Sequence, residues 1–148
     1  MTNDPAILGY AAGLIDGEGT ISTNGRQWVG TRQCMPTVYI KVLMTDVRPI
    51  QWLHQQFGGV TRHVPARKAT HKDAYYWCAS PILAGEVLAA LLPYLIVKRS
   101  QAEKAIALRA LSGGRGSRLS PERLNAGLRI KDELRVLNRR GIPNTAIS

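Results

Sequence analysis

The sequence has few cysteines and no long apolar run. Only Cys34 and Cys78 occur among 148 residues, and neither belongs to a Cys-x-x-Cys pair, so we expect neither a disulfide nor a zinc site. No apolar stretch approaches the roughly 20 residues that a membrane-spanning helix needs. The first residues, Met-Thr-Asn-Asp-Pro, lack the basic and apolar segments of a signal peptide, and we therefore expect an intracellular protein, in the cytoplasm or an organelle.

Acidic residues are also scarce. The chain has 10 Asp and Glu against 20 Lys and Arg, which gives a net charge of +10 and a pI near 10.2. This balance favours a polyanionic partner, with nucleic acid first and an acidic membrane surface second. The length and the 45% hydrophobic content suit one domain with an ordinary core.

The most informative segment is residues 10–22, where a stretch of small residues runs into two acids and then a short strand. Asp16 and Glu18 fall at the end of the predicted helix, where the helix dipole disfavours negative charge. A hard divalent cation would favour this placement, since it binds carboxylate and main-chain carbonyl oxygens together. The alternative is a helix that stops at glycines, followed by a solvated acidic turn. The residues alone leave both open.

The string Ala12-Gly13-Leu14-Ile15-Asp16 resembles the signature of the LAGLIDADG homing endonucleases. Glu18 stands at the second acid, Ala11 replaces the usual leucine and Gly17 replaces the usual alanine. The resemblance implies that two such helices, one from each subunit or half, pack along a two-fold axis. The small residues that would allow the close approach are Ala11, Ala12 and Gly13.

The resemblance also implies an active site at the end of this helix. Glu18 would hold Mg²⁺, with the Gly17 carbonyl as a further ligand, and Asp16 would orient the helix end instead of binding the metal. A second similar segment, Leu-Pro-Tyr-Leu-Ile-Val-Lys at 92–98, matches a family segment that ends in a lysine near the active site. Lys98 would then stabilise developing charge or orient water. The alternative is a lysine on a solvated helix face.

One further site residue of the family does not align securely. The family places a polar residue near the metal-bound water at the end of its second strand. Here Met44, Thr45 and Arg48 lie near that position, and a methionine would be a chemical departure.

Helix and strand patterns alternate along the chain. They predict helices at about 5–16, 46–57, 81–92, 95–111 and 120–141, and strands through 21, at 37–45, at 60–67 and at 74–79. We therefore expect an α+β fold in αββαββα order, with a saddle-like antiparallel four-stranded sheet, helices on one face and an extra C-terminal helix. Residues 1–111 would form the core domain, and 112–148 a flexible connector and a C-terminal helix packed on it.

Polar and cationic residues alternate with apolar ones in the predicted strands. Val38, Ile40 and Val42 share one face, and Thr37, Tyr39 and Lys41 share the other. We expect the polar face to bind duplex DNA, because a β-ribbon fits the major groove; a solvated sheet face is the alternative. The predicted strand contacts are Arg26, Gln27, Arg32, Gln33, Tyr39, Lys41, Arg62, Arg67 and Tyr75, and Lys68, His71 and Lys72 would contact phosphates from a hairpin tip.

A single motif supplies half of a catalytic centre. The family's single-motif members act as homodimers, and two-fold symmetry implies a pseudo-palindromic target. The resemblance thus predicts a site-specific endonuclease that makes a metal-dependent double-strand break with 3′ overhangs. An intron RNA maturase or a non-cleaving DNA-binding protein of the same fold is the alternative. His54, His63 and His71 do not form the pattern of an HNH nuclease.

Overall fold

The computed structural model describes residues 1–24, 28–30, 32–113 and 119–139. Within these ranges the chain forms helices and strands in the predicted alternating order. In sequence they are α1 (Pro5–Glu18), β1 (Gly19–Asn24), β2 (Trp28–Val29), β3 (Arg32–Gln33), β4 (Thr37–Met44), α2 (Val47–Phe57), β5 (Val60–Val64), β6 (Ala74–Ala79), α3 (Pro81–Leu91), a 3₁₀ turn (Leu92–Tyr94), α4 (Arg99–Leu111) and α5 (Pro121–Leu137).

Four of the strands form one antiparallel sheet in the order β1-β4-β6-β5. In its register, Ile40 is paired with Ile21 on one side and with Ala79 on the other. These three side chains are fully buried under the helices, because alternate residues of a strand point to the same face. The predicted α+β fold is confirmed, and so is the alternation in β4.

Local sequence explains where the helices begin and end. Asp4 and Asp46 accept hydrogen bonds from main-chain N–H groups at the starts of α1 and α2, as N-caps do. Two glycines with positive φ, Gly58 and Gly59, end α2. A Cβ on Gly59 would lie 2.8 Å from Nε1 of Trp77, so only glycine fits where this turn meets β6.

The start of α4 differs from the prediction. The sequence predicts a helix from about Leu95, whereas α4 begins at Arg99. The main-chain N–H groups of Ile96 and Lys98 donate to the side chain of Asp16, which holds this segment as a loop. The last helix, α5, ends at Leu137 with Asn138 as its C-cap, earlier than the predicted end near 141.

The C-terminal helix α5 packs on α4 and on β1, an edge strand of the sheet. Leu134 is buried, Glu133 forms an ion pair with Lys104, and the Asn138 side chain donates to the Ile21 carbonyl at 2.9 Å. This contact covers main-chain groups that an edge strand leaves unpaired. A domain boundary at residue 111 stays a prediction. In the described part of the chain, no helix has the length and apolar character needed to span a membrane.

Candidate active site and nucleic-acid interface

Helix α1 passes directly into β1, and Gly19 makes this passage possible. A Cβ on Gly19 would lie 2.7 Å from both Cα and the carbonyl oxygen of Ile15, so a larger residue would force the chain away from the helix. Gly19 is buried at this crossing, whereas Gly17 and Glu18 are exposed beside it. The glycine after the acids therefore fixes a carboxylate at the exposed end of the helix.

Asp16 fastens the loop before α4 to the end of α1. Its two carboxylate oxygens accept hydrogen bonds from the main-chain N–H groups of Ile96, at 2.8 Å, and Lys98, at 2.9 Å. These bonds join residues about 80 positions apart in the sequence. The geometry supports the orienting role over direct metal contact, because both oxygens are already engaged within the chain.

The loop that Asp16 holds places the Lys98 side chain beside the acids. The Lys98 Nζ donates a short hydrogen bond to the main-chain carbonyl of Asp16. Partial burial lowers the pKa of Lys98, and the negative charges of Asp16 and Glu18 partly offset this shift. The structure thus brings together the two residues that the sequence assigns to catalysis, Glu18 and Lys98.

Glu18 lines an open cleft of about 260 Å³ with Leu43, Met44, Thr45 and Ala74. The cleft lies at the end of β4, where the water-orienting polar residue of the family was sought, and Met44 and Thr45 occupy that place. Across the described ranges, no three or more His, Cys, Asp or Glu residues are grouped as a metal site would require. Among the residues that line the cleft, Glu18 supplies the carboxylate.

The solvent face of the sheet begins at this cleft. Tyr39, Lys41 and Arg62 lie on it, as predicted, because they alternate with the inward-facing residues of their strands. The Lys41 Nζ lies 4.2 Å from the centre of the Tyr76 ring. Tyr76 was not predicted to be part of this face.

The placement of Tyr75 on the solvent face was wrong. Tyr75 is two residues from the fully buried Trp77, so it points to the helical side of the sheet, where it packs against the core. Its ring stacks on that of His63, with the centroids 5.1 Å apart. Three consecutive aromatic residues, Tyr75 to Trp77, hide the period-two pattern that would have distinguished the two tyrosines.

The loop between β5 and β6 is a basic hairpin that Asp73 closes. Asp73 accepts hydrogen bonds from the Ala66 N–H at 2.9 Å and pairs with Nε2 of His63 at 2.7 Å. Both bonds lower the pKa of Asp73, and the bond from the Ala66 N–H contributes the larger part of the shift. Between Ala66 and Asp73 lie four exposed residues that were predicted to contact DNA: Arg67, Lys68, His71 and Lys72.

The remaining predicted DNA contacts belong to the extension after β1. Arg32 and Gln33 form β3, which pairs with β2 in a separate two-stranded sheet. Arg26 and Gln27 lie outside the described residues. Their assignment to the DNA interface stays a prediction.

The proposed helix contact between subunits needs a correction. Ala11 and Ala12 are fully buried in the core of their own chain, so their side chains cannot contact a second subunit. Gly13 is exposed, and a Cβ on Gly13 or Gly17 would have no neighbouring atom within 4 Å. The exposed stripe of α1 instead contains Ala6, Tyr10, Gly13 and Gly17, which follow at helical spacing.

Large apolar side chains are exposed next to this stripe. Ile96 is 85% exposed, Val97 56% and Tyr94 36%. Tyr94 lies beside α1, since a Cβ on Gly9 would be 4.0 Å from its ring. Tyr10, on the stripe itself, is 50% exposed. Exposed apolar patches are typical of interaction surfaces.

Solved structures show the same architecture. The homing endonuclease I-CvuI, in complex with DNA in the presence of Mg, is 20% identical with a TM-score of 0.73, over 93% of this chain and 85% of that chain. The archaeal intron-encoded homing endonuclease I-Vdi141I, also complexed with DNA, is 18% identical with a TM-score of 0.63, over 91% of this chain and 86% of that one.

The LAGLIDADG homing endonuclease I-SmaMI, bound to cleaved DNA, is 14% identical with a TM-score of 0.69, and the match covers 89% of this chain and 45% of that one. No protein-family model matches the sequence, and no curated protein is significantly similar to it. The chain has the fold of the LAGLIDADG homing endonucleases.

Proposed function

We propose that the protein is a site-specific DNA endonuclease that cuts both strands as a homodimer with a divalent metal ion. The observation that carries this proposal is the position of Glu18. It is exposed at the end of α1, in a cleft beside Lys98 and at one end of a cationic sheet face. The alternative interpretation of the motif is a solvated acidic turn. It does not explain why Asp16 and Lys98 are held beside Glu18.

Duplex DNA is the substrate that fits the sheet. The net charge of +10 favours a polyanion, and an antiparallel sheet face fits the major groove. Lys41 and Arg62 lie on that face, and neither forms an ion pair with another described residue. The structures of I-CvuI, I-Vdi141I and I-SmaMI that share this fold are complexes with DNA.

The donor atoms at the site suit Mg²⁺. The Glu18 carboxylate and the Gly17 carbonyl are hard oxygen donors at the exposed helix end. Asp16 is the less suitable ligand, since each of its oxygens already accepts a main-chain hydrogen bond. One carboxylate per chain is too few for a complete Mg²⁺ site, so we infer that a second subunit and the DNA phosphates complete it. Mg²⁺ bound there would polarise the scissile phosphate and activate water.

Lys98 supports the reaction from its fixed position. Its Nζ is held by the Asp16 carbonyl, and its main chain by the Asp16 carboxylate. An ammonium group fixed in this way stabilises charge that develops on a phosphate without having to reorganise. Family likeness further leads us to expect short 3′ overhangs.

The homodimer is proposed to form on the exposed stripe of α1. Gly13 and Gly17 leave room for a second main chain to approach. The apolar side chains of Tyr94, Ile96 and Val97 flank the stripe and are exposed in the single chain. An isologous contact here would place both Glu18 residues close to one two-fold axis, as cutting of two strands requires.

The substitution Glu18→Gln tests the proposed chemistry. We expect cleavage to fall by roughly a hundredfold or more, because an amide is a poor Mg²⁺ ligand. DNA affinity should stay near that of the wild type, since the sheet provides the DNA contacts. Cleavage is measured by a nicking assay with Mg²⁺, and binding by a gel-shift assay with Ca²⁺ on the same target.

Glu86→Gln is the matched control, because Glu86 is an exposed glutamate of α3 that does not line the cleft. It should cut and bind as the wild type does. Near-normal cleavage by Glu18→Gln would show that the metal assignment is wrong.

A further inference from the structure

One row of the sheet beside the cleft crosses three strands. In the register, Tyr76 of β6 is paired with Leu43 of β4 on one side and with Arg62 of β5 on the other. All three therefore point to the solvent face. Leu43 also lines the cleft with Glu18. Through Leu43, this row borders the cleft in which cutting is proposed.

Lys41 lies in the adjacent row of the solvent face, and its side chain extends to Tyr76. Its cross-strand neighbour on β6 is Cys78, yet its ammonium lies over the ring of Tyr76, 4.2 Å from the centroid. This diagonal contact is a cation–π interaction, which holds a cation against the electron-rich ring face. It restrains a side chain that would otherwise adopt many rotamers. The Lys41 amino group is thus fixed near the sheet surface instead of extending toward the phosphate backbone.

The side chains of this row are hydrogen-bond donors or apolar groups, and none is a carboxylate. Within the described strands, no Asp or Glu lies on this face. Lys and Arg donate to O6 and N7 of guanine in the major groove, whereas recognition of cytosine uses a carboxylate. Leu43 is 46% exposed, and the base feature that an apolar side chain recognises in the major groove is the thymine methyl group.

We infer that Lys41, positioned by Tyr76, and Arg62 read guanines in each half-site close to the cut, and that Leu43 contacts a thymine between them and the cleavage point. This inference rests on the proposed function and specifies its substrate. Tyr76 is a positioning residue here, since it acts through Lys41. The sequence pattern had placed Tyr75, and not Tyr76, on the DNA-binding face.

The test is selection of binding sites from randomised duplex DNA by the wild-type protein and its variants, with Ca²⁺ present. The wild type should select guanine at two positions in each half-site. Lys41→Ala should reduce the preference for guanine at one of them by about tenfold. Lys41→Gln should move the preference at that position from guanine to adenine, because glutamine pairs with adenine.

Tyr76 has its own pair of variants. Tyr76→Leu removes the ring and should weaken guanine selection at the position that Lys41 reads, while leaving the Arg62 position unchanged. Tyr76→Phe keeps the ring and should behave as the wild type. Thermal unfolding of each variant verifies that it is folded.

Lys68→Ala is the control for a cation that contacts phosphate. It should lower affinity for all sequences equally and reduce the salt dependence of binding, with no change in base preference. Unchanged guanine selection in Lys41→Ala and Tyr76→Leu would overturn the inference but leave the proposed function intact. Failure of the wild type to enrich any sequence would instead count against the proposed function itself.

Discussion

At the scale of single residues, the position of Lys98 has a consequence for stability. Burial lowers its pKa below the ordinary value of 10.5, and the charges of Asp16 and Glu18 only partly offset this. As the pH rises, the folded protein therefore loses this proton before the unfolded chain does. The unfolded state binds more protons between the two pKa values, so the free energy of unfolding should increase with pH across that window.

The substitution Lys98→Met tests this linkage. The variant should lack the increase in unfolding free energy on approaching pH 10.5, because it has no proton to lose at this position. It should also cut DNA more slowly, since the fixed ammonium is gone. Urea unfolding from neutral to alkaline pH measures the difference between the two proteins. Parallel pH profiles for wild type and variant would contradict the assignment of a shifted pKa to Lys98.

At the scale of elements, the hairpin between β5 and β6 depends on Asp73. Asp73→Ala removes the acceptor of the Ala66 N–H, and we expect amide hydrogen exchange at Ala66 to become about fivefold faster. The Gly58 amide, which donates to the His54 carbonyl at 2.8 Å, is the internal control and should not change.

The same hairpin has a defined pH dependence. Because the folded pKa of Asp73 is lowered, its stabilising effect is present above the ordinary carboxyl pKa and is lost as the pH falls through the folded value. Protection at Ala66 that stays constant through this acid range in the wild type would contradict the closing role of Asp73.

The elements also show what the sequence could predict. Periodicity, caps and glycines located α1, α2, α3 and the four sheet strands, because these signals are local. The start of α4 was misplaced, since Leu95, Ile96 and Val97 resemble a helix face. The actual constraint comes from Asp16, about 80 residues earlier, and no local pattern carries that information.

The sequence likewise predicted some features of the candidate site correctly and others wrongly. Glu18 and Lys98 were found from motifs, and the structure brings them together. The face of β6 was misjudged, because adjacent aromatic residues are equally suited to either side of a sheet. Ala11 and Ala12 were assigned to the subunit contact because they are small. Small size, however, serves packing in the chain's own core equally well, and only burial distinguishes the two uses.

At the scale of the whole molecule, the subunit contact is tested by Gly13→Leu. No atom lies within 4 Å of a Cβ at Gly13, so the single chain should fold and gain about 0.5–1 kcal/mol from the better helix former. A close helix contact cannot absorb the added volume. We expect wild-type dimers and variant monomers in analytical ultracentrifugation. Ala89→Leu, an exposed change on α3, should remain dimeric.

A monomeric wild type, both free and on a cleavable target, would contradict the proposed dimer. Loss of folding in Gly13→Leu would instead show that the exposed stripe of α1 is needed within the single chain.

The most direct test of the account is incubation of the purified wild-type protein with randomised duplex DNA and Mg²⁺, followed by sequencing of both new ends. We predict double-strand breaks with short 3′ overhangs at the centre of one pseudo-palindromic sequence, and no breaks when Mg²⁺ is removed by a chelator. Binding without any break in the presence of Mg²⁺, or breaks without sequence preference, would contradict the claim that this protein is a metal-dependent, site-specific endonuclease.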